Sequence, residues 1–145
     1  MQNADHALIH RFTRGAEPLA IDSNPLFVAL AARLLDVDRE GGTVALAFAP
    51  GVAFVQGAGF IQGGVVCAML DFAMAFAVMA RLTANEAATT VNVNVSFLRA
   101  TRPGELRATG SLDRLGNSMA FTRATLHAAD GALLATASST LAVLR

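Results

Sequence analysis

From Gly63 to Ala80 the chain carries one charged residue, Asp71, inside an otherwise apolar run. Extended to Leu82, this stretch approaches the length of a membrane span. A carboxylate near the middle of a span is costly in lipid, and the sequence offers no second span to shelter it. The run is also rich in alanine, which suits packing against protein. It reads as a buried helix over about Val65 to Leu82, with Val66, Met69, Leu70, Ala73, Phe76 and Ala77 as one broad stripe. A chain of 145 residues closes one core, so the rest of the sequence must wrap this helix.

The wrapping is written in a second period. Between Thr90 and Arg99, Val91, Val93, Val95 and Phe97 alternate with Asn92, Asn94 and Ser96, the pattern of a strand. Glu105 to Leu112, Met119 to His127 and Leu133 to Leu144 also read as strands, separated by the turn dipeptides Pro103-Gly104, Gly116-Asn117 and Asp130-Gly131. Consecutive turns of this kind predict an antiparallel meander. Upstream, Val44 to Ala49 reads as a strand between Gly41-Gly42 and Pro50-Gly51. Ser23 and Asn24 precede Pro25, and Phe27, Leu30, Ala31 and Leu34 follow at helical spacing, which predicts a short amphipathic helix. Val52 to Gly64 holds four glycines among apolar residues and reads as a buried loop. The expected architecture is α+β, an antiparallel sheet wrapped around one long central helix. Residues 1–20 form a loosely packed N-terminal arm, with at most a turn of helix over Ala7 to Phe12, and 21–145 a single domain.

Composition narrows the functional classes. The chain is 54% hydrophobic and only 15% charged, against roughly 25% charged in an ordinary domain, so part of the apolar excess is expected in an interface between subunits. Eleven arginines balance eleven acidic residues, leaving no field to gather nucleic acid or a membrane surface. Cys67 is the single cysteine, and Met1 to His10 lacks the basic-then-apolar order of a signal peptide, so a cytoplasmic location is the expectation. No zincin, nucleophile-elbow or Walker motif is present. His6 and His10 share one helix face but have no third ligand nearby, so they read as a solvated pair and no metal site is expected. His127 reads as a rim residue and Cys67 as a buried, inert thiol.

Asp71 stands apart because a buried carboxylate costs several kcal/mol, about that much at least, unless something compensates it. It could be a structural cap or a chemical group. Gly63 and Gly64 favour chemistry, because they open the same helix, where free N–H groups and the positive end of the dipole attract a polarised carbonyl oxygen. At 1.5 Å per residue, however, Gly63 and Asp71 are about 12 Å apart along the helix, too far to serve one carbonyl. If both act on one substrate, each comes from a different subunit, with two such helices side by side about a twofold axis.

The run Gly59-Phe60-Ile61-Gln62-Gly63-Gly64 followed by Asp71 resembles the Gly-x-x-His-Gly-Gly motif, with its later acidic residue, of the hotdog-fold acyl-CoA thioesterases, in particular the PaaI-like phenylacetic acid degradation group. Val95 to Arg99, Pro103 to Leu106 and Asp130 to Ala135 are similar to that family's strand signatures, and the likeness covers nearly all of Asn24 to Leu144. It implies a hotdog fold, a dimer with sheets joined edge to edge, usually a tetramer of two such dimers, and hydrolysis of an acyl-CoA or related thioester. Coenzyme A would enter as part of the substrate, with no separate cofactor. Asp71 falls at the nucleophile or general base, Gly63 at the N–H that polarises the thioester carbonyl beside Gly64, Gln56 at an assisting amide, and Thr90 near a hydroxyl that orients water. Arg99 and Arg102 suit the phosphates of coenzyme A or are ordinary solvated charges. The motif histidine is Gln62 here, and glutamine cannot titrate. The alternatives are a catalytically weak protein that binds an acyl ligand and a hotdog dehydratase or hydratase.

Overall fold

The structure, a computed structural model, describes residues 3–145. Three helices and seven strands follow in the order α1 (Ala4–Arg11), β1 (Leu19–Ala20), α2 (Pro25–Ala29), β2 (Arg33–Asp38), β3 (Thr43–Phe48), α3 (Gly63–Met79), β4 (Ala87–Phe97), β5 (Leu106–Leu115), β6 (Met119–Ala128) and β7 (Leu133–Leu144). The strands form one antiparallel sheet in the order β1-β2-β3-β5-β6-β7-β4. Its concave face wraps α3, whose Ala73, Met74, Phe76, Ala77 and Val78 are buried. Among the described residues no helix is long and apolar enough to cross a membrane.

One glycine sets how closely helix and sheet approach. A β-carbon on Gly110 of β5 would stand 2.0 Å from the Ala73 carbonyl oxygen. Only a residue without a side chain lets the α3 backbone lie there. On the other side of α3, Phe27 of α2 is fully buried and stacks on Phe72 with ring centroids 3.8 Å apart.

Five expectations need correction. The α1 part of the N-terminal arm is not loosely packed, although Thr13 to Pro18 are exposed: Asn3 Oδ1 caps α1 by accepting from the Asp5 N–H at 3.0 Å, and Leu8, Ile9 and Phe12 join the core. Residues 1 and 2 of that arm, and so the start of the segment assessed for a signal peptide, lie outside the described residues. The His6–His10 pair is not solvated as a pair either. His6 is buried and its Nε2 lies 2.9 Å from the Leu82 carbonyl oxygen, while His10 Nε2 lies 3.3 Å from that of Met79. The two rings stack at 4.0 Å.

The second helix stops at Ala29 rather than running to Leu34. The Ala32 N–H donates to the Phe27 carbonyl at 2.9 Å and the Ala31 N–H to that of Val28 at 3.0 Å, closing the last turn with Ala31 at φ 49°. Leu34 therefore belongs to β2, a strand that helical spacing conceals. The loop before α3 is largely exposed, with Val52 at 89% and only Ile61 buried. Finally, the last four strands are no simple meander. After β4 the chain crosses the sheet, so β5 pairs with β3 and β6, and β7 returns to pair with β4 at the edge. The Pro103-Gly104 turn bends a crossover, not a hairpin, because β6 and β7 lie between β4 and β5 in the sheet.

Candidate functional site

The N-terminus of α3 is assembled by main-chain bonds. The Gln62 N–H donates to the Phe54 carbonyl at 2.9 Å, and the Ile61 N–H to that of Thr101 at 2.8 Å, which pins the glycine-rich loop beside the β4–β5 crossover. Gln62 is the N-cap, and its carbonyl accepts from the N–H groups of Val65 and Val66. Its exposed side chain caps nothing. The N–H groups of Gly63 and Gly64, in the first turn, have no partner within the helix. Neither glycine has positive φ, and a β-carbon on Gly63 would make only ordinary contact, 3.5 Å from Phe97 Cζ. Internal packing does not require glycine here, whereas close approach of a ligand to the backbone would.

In front of this helix end lies a cleft of about 260 Å³ whose lining includes Gln56, Phe60, Gly63, Val66, Phe97 and Arg99. The Gln56 side-chain oxygen accepts from the Ala58 N–H, so its amide NH₂ remains to donate. A groove of about 420 Å³ adjoins the cleft through Arg99 and Ala100 and is bordered by Arg102, Glu105 and Asp130. Both arginines are exposed, and the Arg102 guanidinium stands 5.4 Å from the centre of the Phe60 ring. The crossover thus delivers two cations to the rim of one apolar opening.

Asp71 and Thr90 form a separate pair. Thr90 Oγ1 donates to Asp71 Oδ1 at 2.8 Å, and neither residue lines the cleft. Strict alternation would put Thr90 on the outer face with Asn92 and Asn94, but the β4–β7 register shifts between Thr90 and Asn92. That bulge at Val91 turns Thr90 towards the helix, a detail that alternation cannot reveal. The expected burial of Asp71 is also corrected: it is half exposed, because nothing in its own chain covers that stripe of α3. Cys67, one turn earlier on the same stripe, is half buried, and burial together with the Asp71 charge pushes its thiol pKa up, against reactivity.

The predicted residues thus separate into Gln56, Gly63 and Arg99 at the cleft, Arg102 at the adjoining groove, and Asp71 with Thr90 two helical turns away. Gln62 and Gly64 flank the cleft without lining it. Sequence reasoning missed the aromatic walls Phe60 and Phe97. Phe97 is the last apolar residue in the β4 alternation, so its signal looked structural.

Residues 58–135 match the thioesterase superfamily, more than half of the chain. The chain belongs to that superfamily. The fold of this thioesterase-superfamily protein is also similar to solved structures of the hotdog type. A phenylacetic acid degradation-related protein from Ralstonia eutropha JMP134 aligns with TM-score 0.81 and 29% identity over 97% of this chain and 99% of that one. A thioesterase family protein from Silicibacter pomeroyi aligns with TM-score 0.77 and 27% identity over 83% and 90%. The PaaI protein of the E. coli phenylacetic acid degradation operon shares the fold at TM-score 0.74, with 18% identity over 81% and 83%. No curated protein matches the chain. The superfamily match starts at Ala58 and includes Gly63, Asp71, Thr90, Arg99 and Arg102, whereas Gln56 lies just before it.

Proposed function

We propose that this protein hydrolyses an acyl-CoA or related thioester at a site shared between two subunits. The observation that carries the reading is the division of one α3 stripe into two half-sites. The Gly63 end offers unpaired N–H groups beside an apolar cleft, and the Asp71 end offers a carboxylate held by Thr90. In the shared site the Gly63 N–H and the Gln56 amide hold the thioester oxygen, and Asp71 of the other subunit faces the carbonyl carbon. Acting as base, Asp71 takes a proton from water as the hydroxide adds; collapse of the tetrahedral adduct expels the thiolate, which takes a proton to leave as thiol. Attack by the carboxylate itself reaches the same products through an anhydride that water then opens. Thr90 fixes the carboxylate through one oxygen and leaves the other for chemistry. Arg99 and Arg102 face a phosphate-bearing thiol half such as coenzyme A.

The idle Gln62 side chain favours one competing reading, an acyl-ligand binder with little turnover. A panel of acyl-CoA esters assayed for free thiol separates the two. Asp71→Asn should lower hydrolysis by at least about 10²-fold while the protein stays folded. Mixing Asp71→Asn with Gly63→Pro subunits should restore activity, because one site of each mixed dimer is then intact. Tight binding without thiol release by the unmodified protein would make it a binder.

A further inference from the structure

The cleft and its adjoining groove are joined by a contact between two side chains. Phe60 lines the cleft, Arg102 lines the groove, and the guanidinium stands 5.4 Å from the centre of the ring. Phe60 also closes the turn that carries Gln56. The Gln56 N–H donates to the Phe60 carbonyl at 2.8 Å, the Gly59 N–H donates to the Gln56 carbonyl at 2.9 Å, and Val55 pairs with Ile61 beside them. The tip of the turn is otherwise bare. Gly57, Ala58 and Gly59 are exposed, and a β-carbon on Gly57 or Gly59 would meet nothing within 4 Å. Among the described residues the Phe60 side chain joins neither apolar cluster of the core.

Arg102 is available to brace that ring. The carboxylates bordering the groove are engaged elsewhere: Glu105 accepts from Arg33 at 2.8 Å, and Asp130 accepts from the Ala132 N–H at 2.9 Å. Among the described residues Arg102 forms no ion pair. Its neighbour Thr101 is buried, and the Thr101 carbonyl holds the Ile61 N–H at 2.8 Å. The crossover thus grips the turn twice in succession, through the Thr101 main chain at Ile61 and through the Arg102 side chain at Phe60. Resting on the thioester reading above, we propose that Arg102 is a positioning residue: through Phe60 it holds the Gln56 amide at the cleft, whether or not a phosphate occupies the groove. This role is additional to any phosphate contact. A cation over an aromatic face at an exposed site shifts such an arrangement about two- to fivefold.

An acyl thioester of N-acetylcysteamine, which lacks every phosphate of coenzyme A, separates the two roles. With it, Arg102→Met should lower kcat about two- to fivefold and leave KM little changed, and Arg102→Lys should keep most of the rate because an ammonium group also sits over a ring. In a Phe60→Leu background the same Arg102→Met change should cost nothing further. Full activity of Arg102→Met on this substrate, with loss only on the coenzyme A ester, would make Arg102 a phosphate ligand alone and overturn the proposal. An equal loss in the Phe60→Leu background would overturn it too. Hydrogen exchange reads the brace without substrate: the Gln56 and Gly59 amides should exchange about two- to fivefold faster in Arg102→Met, and unchanged exchange overturns the proposal. Faster exchange in a protein that cleaves no thioester would leave the brace standing and remove the hydrolysis reading.

Discussion

At the C-terminal end of α3, two imidazoles from α1 approach the carbonyl groups of Met79 and Leu82, while at the N-terminal end Gly63 and Gly64 hold their N–H groups towards an open cleft. The flanks differ in the same way. Towards β5 the helix backbone is so close that Gly110 admits no β-carbon, and towards β4 the stripe through Cys67 and Asp71 is half exposed. Polar groups left without partners in a fold that satisfies the rest of its helix mark where a ligand or another subunit belongs. On the proposed reading, the closed regions of α3 carry stability and the open regions carry function.

The largest effect should come from exchanging those rules. Gly110→Ala drives a methyl group into the Ala73 carbonyl and should cost about 3 kcal/mol or more. Thermal unfolding should show it as a fall in Tm of roughly 6–12 °C. Gly63→Ala on the open side meets only ordinary contact, so Tm should stay within about 2 °C while thioester hydrolysis falls. Equal stability losses in the two variants would break the comparison.

The imidazole cluster sharpens it at the closed end. Burial is the main cause that lowers the His10 pKa, aided by the facing charges of His6 and Arg39 and opposed by the bond to Met79. A histidine whose folded pKa lies below its unfolded value takes up its proton more readily when unfolded. Stability should therefore be complete above about pH 6.5 and decline as pH falls below that value, with a slope of less than one proton. Unfolding curves between pH 8 and pH 5 should show this decline, and His10→Gln should flatten it. An unchanged slope in His10→Gln would move its origin elsewhere.

Much of this division was legible in the sequence, for physical reasons specific to each element. Alternation marked β7 because one of its faces meets the core, and β4 because its valines fall on alternate positions although most of the strand is exposed. Asp71 was conspicuous because charge is rare in an apolar helix. The end of α2 was hidden because Ala31, not glycine, takes the left-handed turn, so Leu34 continued a false helical period. Pairing of β4 with β7 was hidden because a turn dipeptide records a change of direction, not which neighbour the strand finds. Burial of Asp71 was misjudged for a related reason: sequence hydrophobicity does not distinguish a face that the chain covers from one that it leaves open. The Thr90–Asp71 bond depends on a bulge that leaves no mark in the alternation.

The smallest expected effect lies at Gln62, on the open end. A residue there could hold the loop, contact the substrate or transfer a proton. The loop is held by the Gln62 main chain through Phe54, and the side chain makes no capping bond, so the first role does not need the amide. Glutamine cannot perform the third, which is typically worth about 10²-fold or more. If Asp71 supplies the acid–base chemistry as proposed, Gln62→Ala should change the hydrolysis rate by less than about fivefold, and Gln62→His by less than about tenfold. The rate of the unmodified protein should show no limb near the ordinary histidine value of about 6.5. His6 and His10 sit at the far end of α3, and His127 lines neither the cleft nor its adjoining groove. A hundredfold gain in Gln62→His, with a new limb near neutrality, would show that the open end lacks a proton carrier, and the cleft would then be a binding site that a single substitution turns into a catalyst.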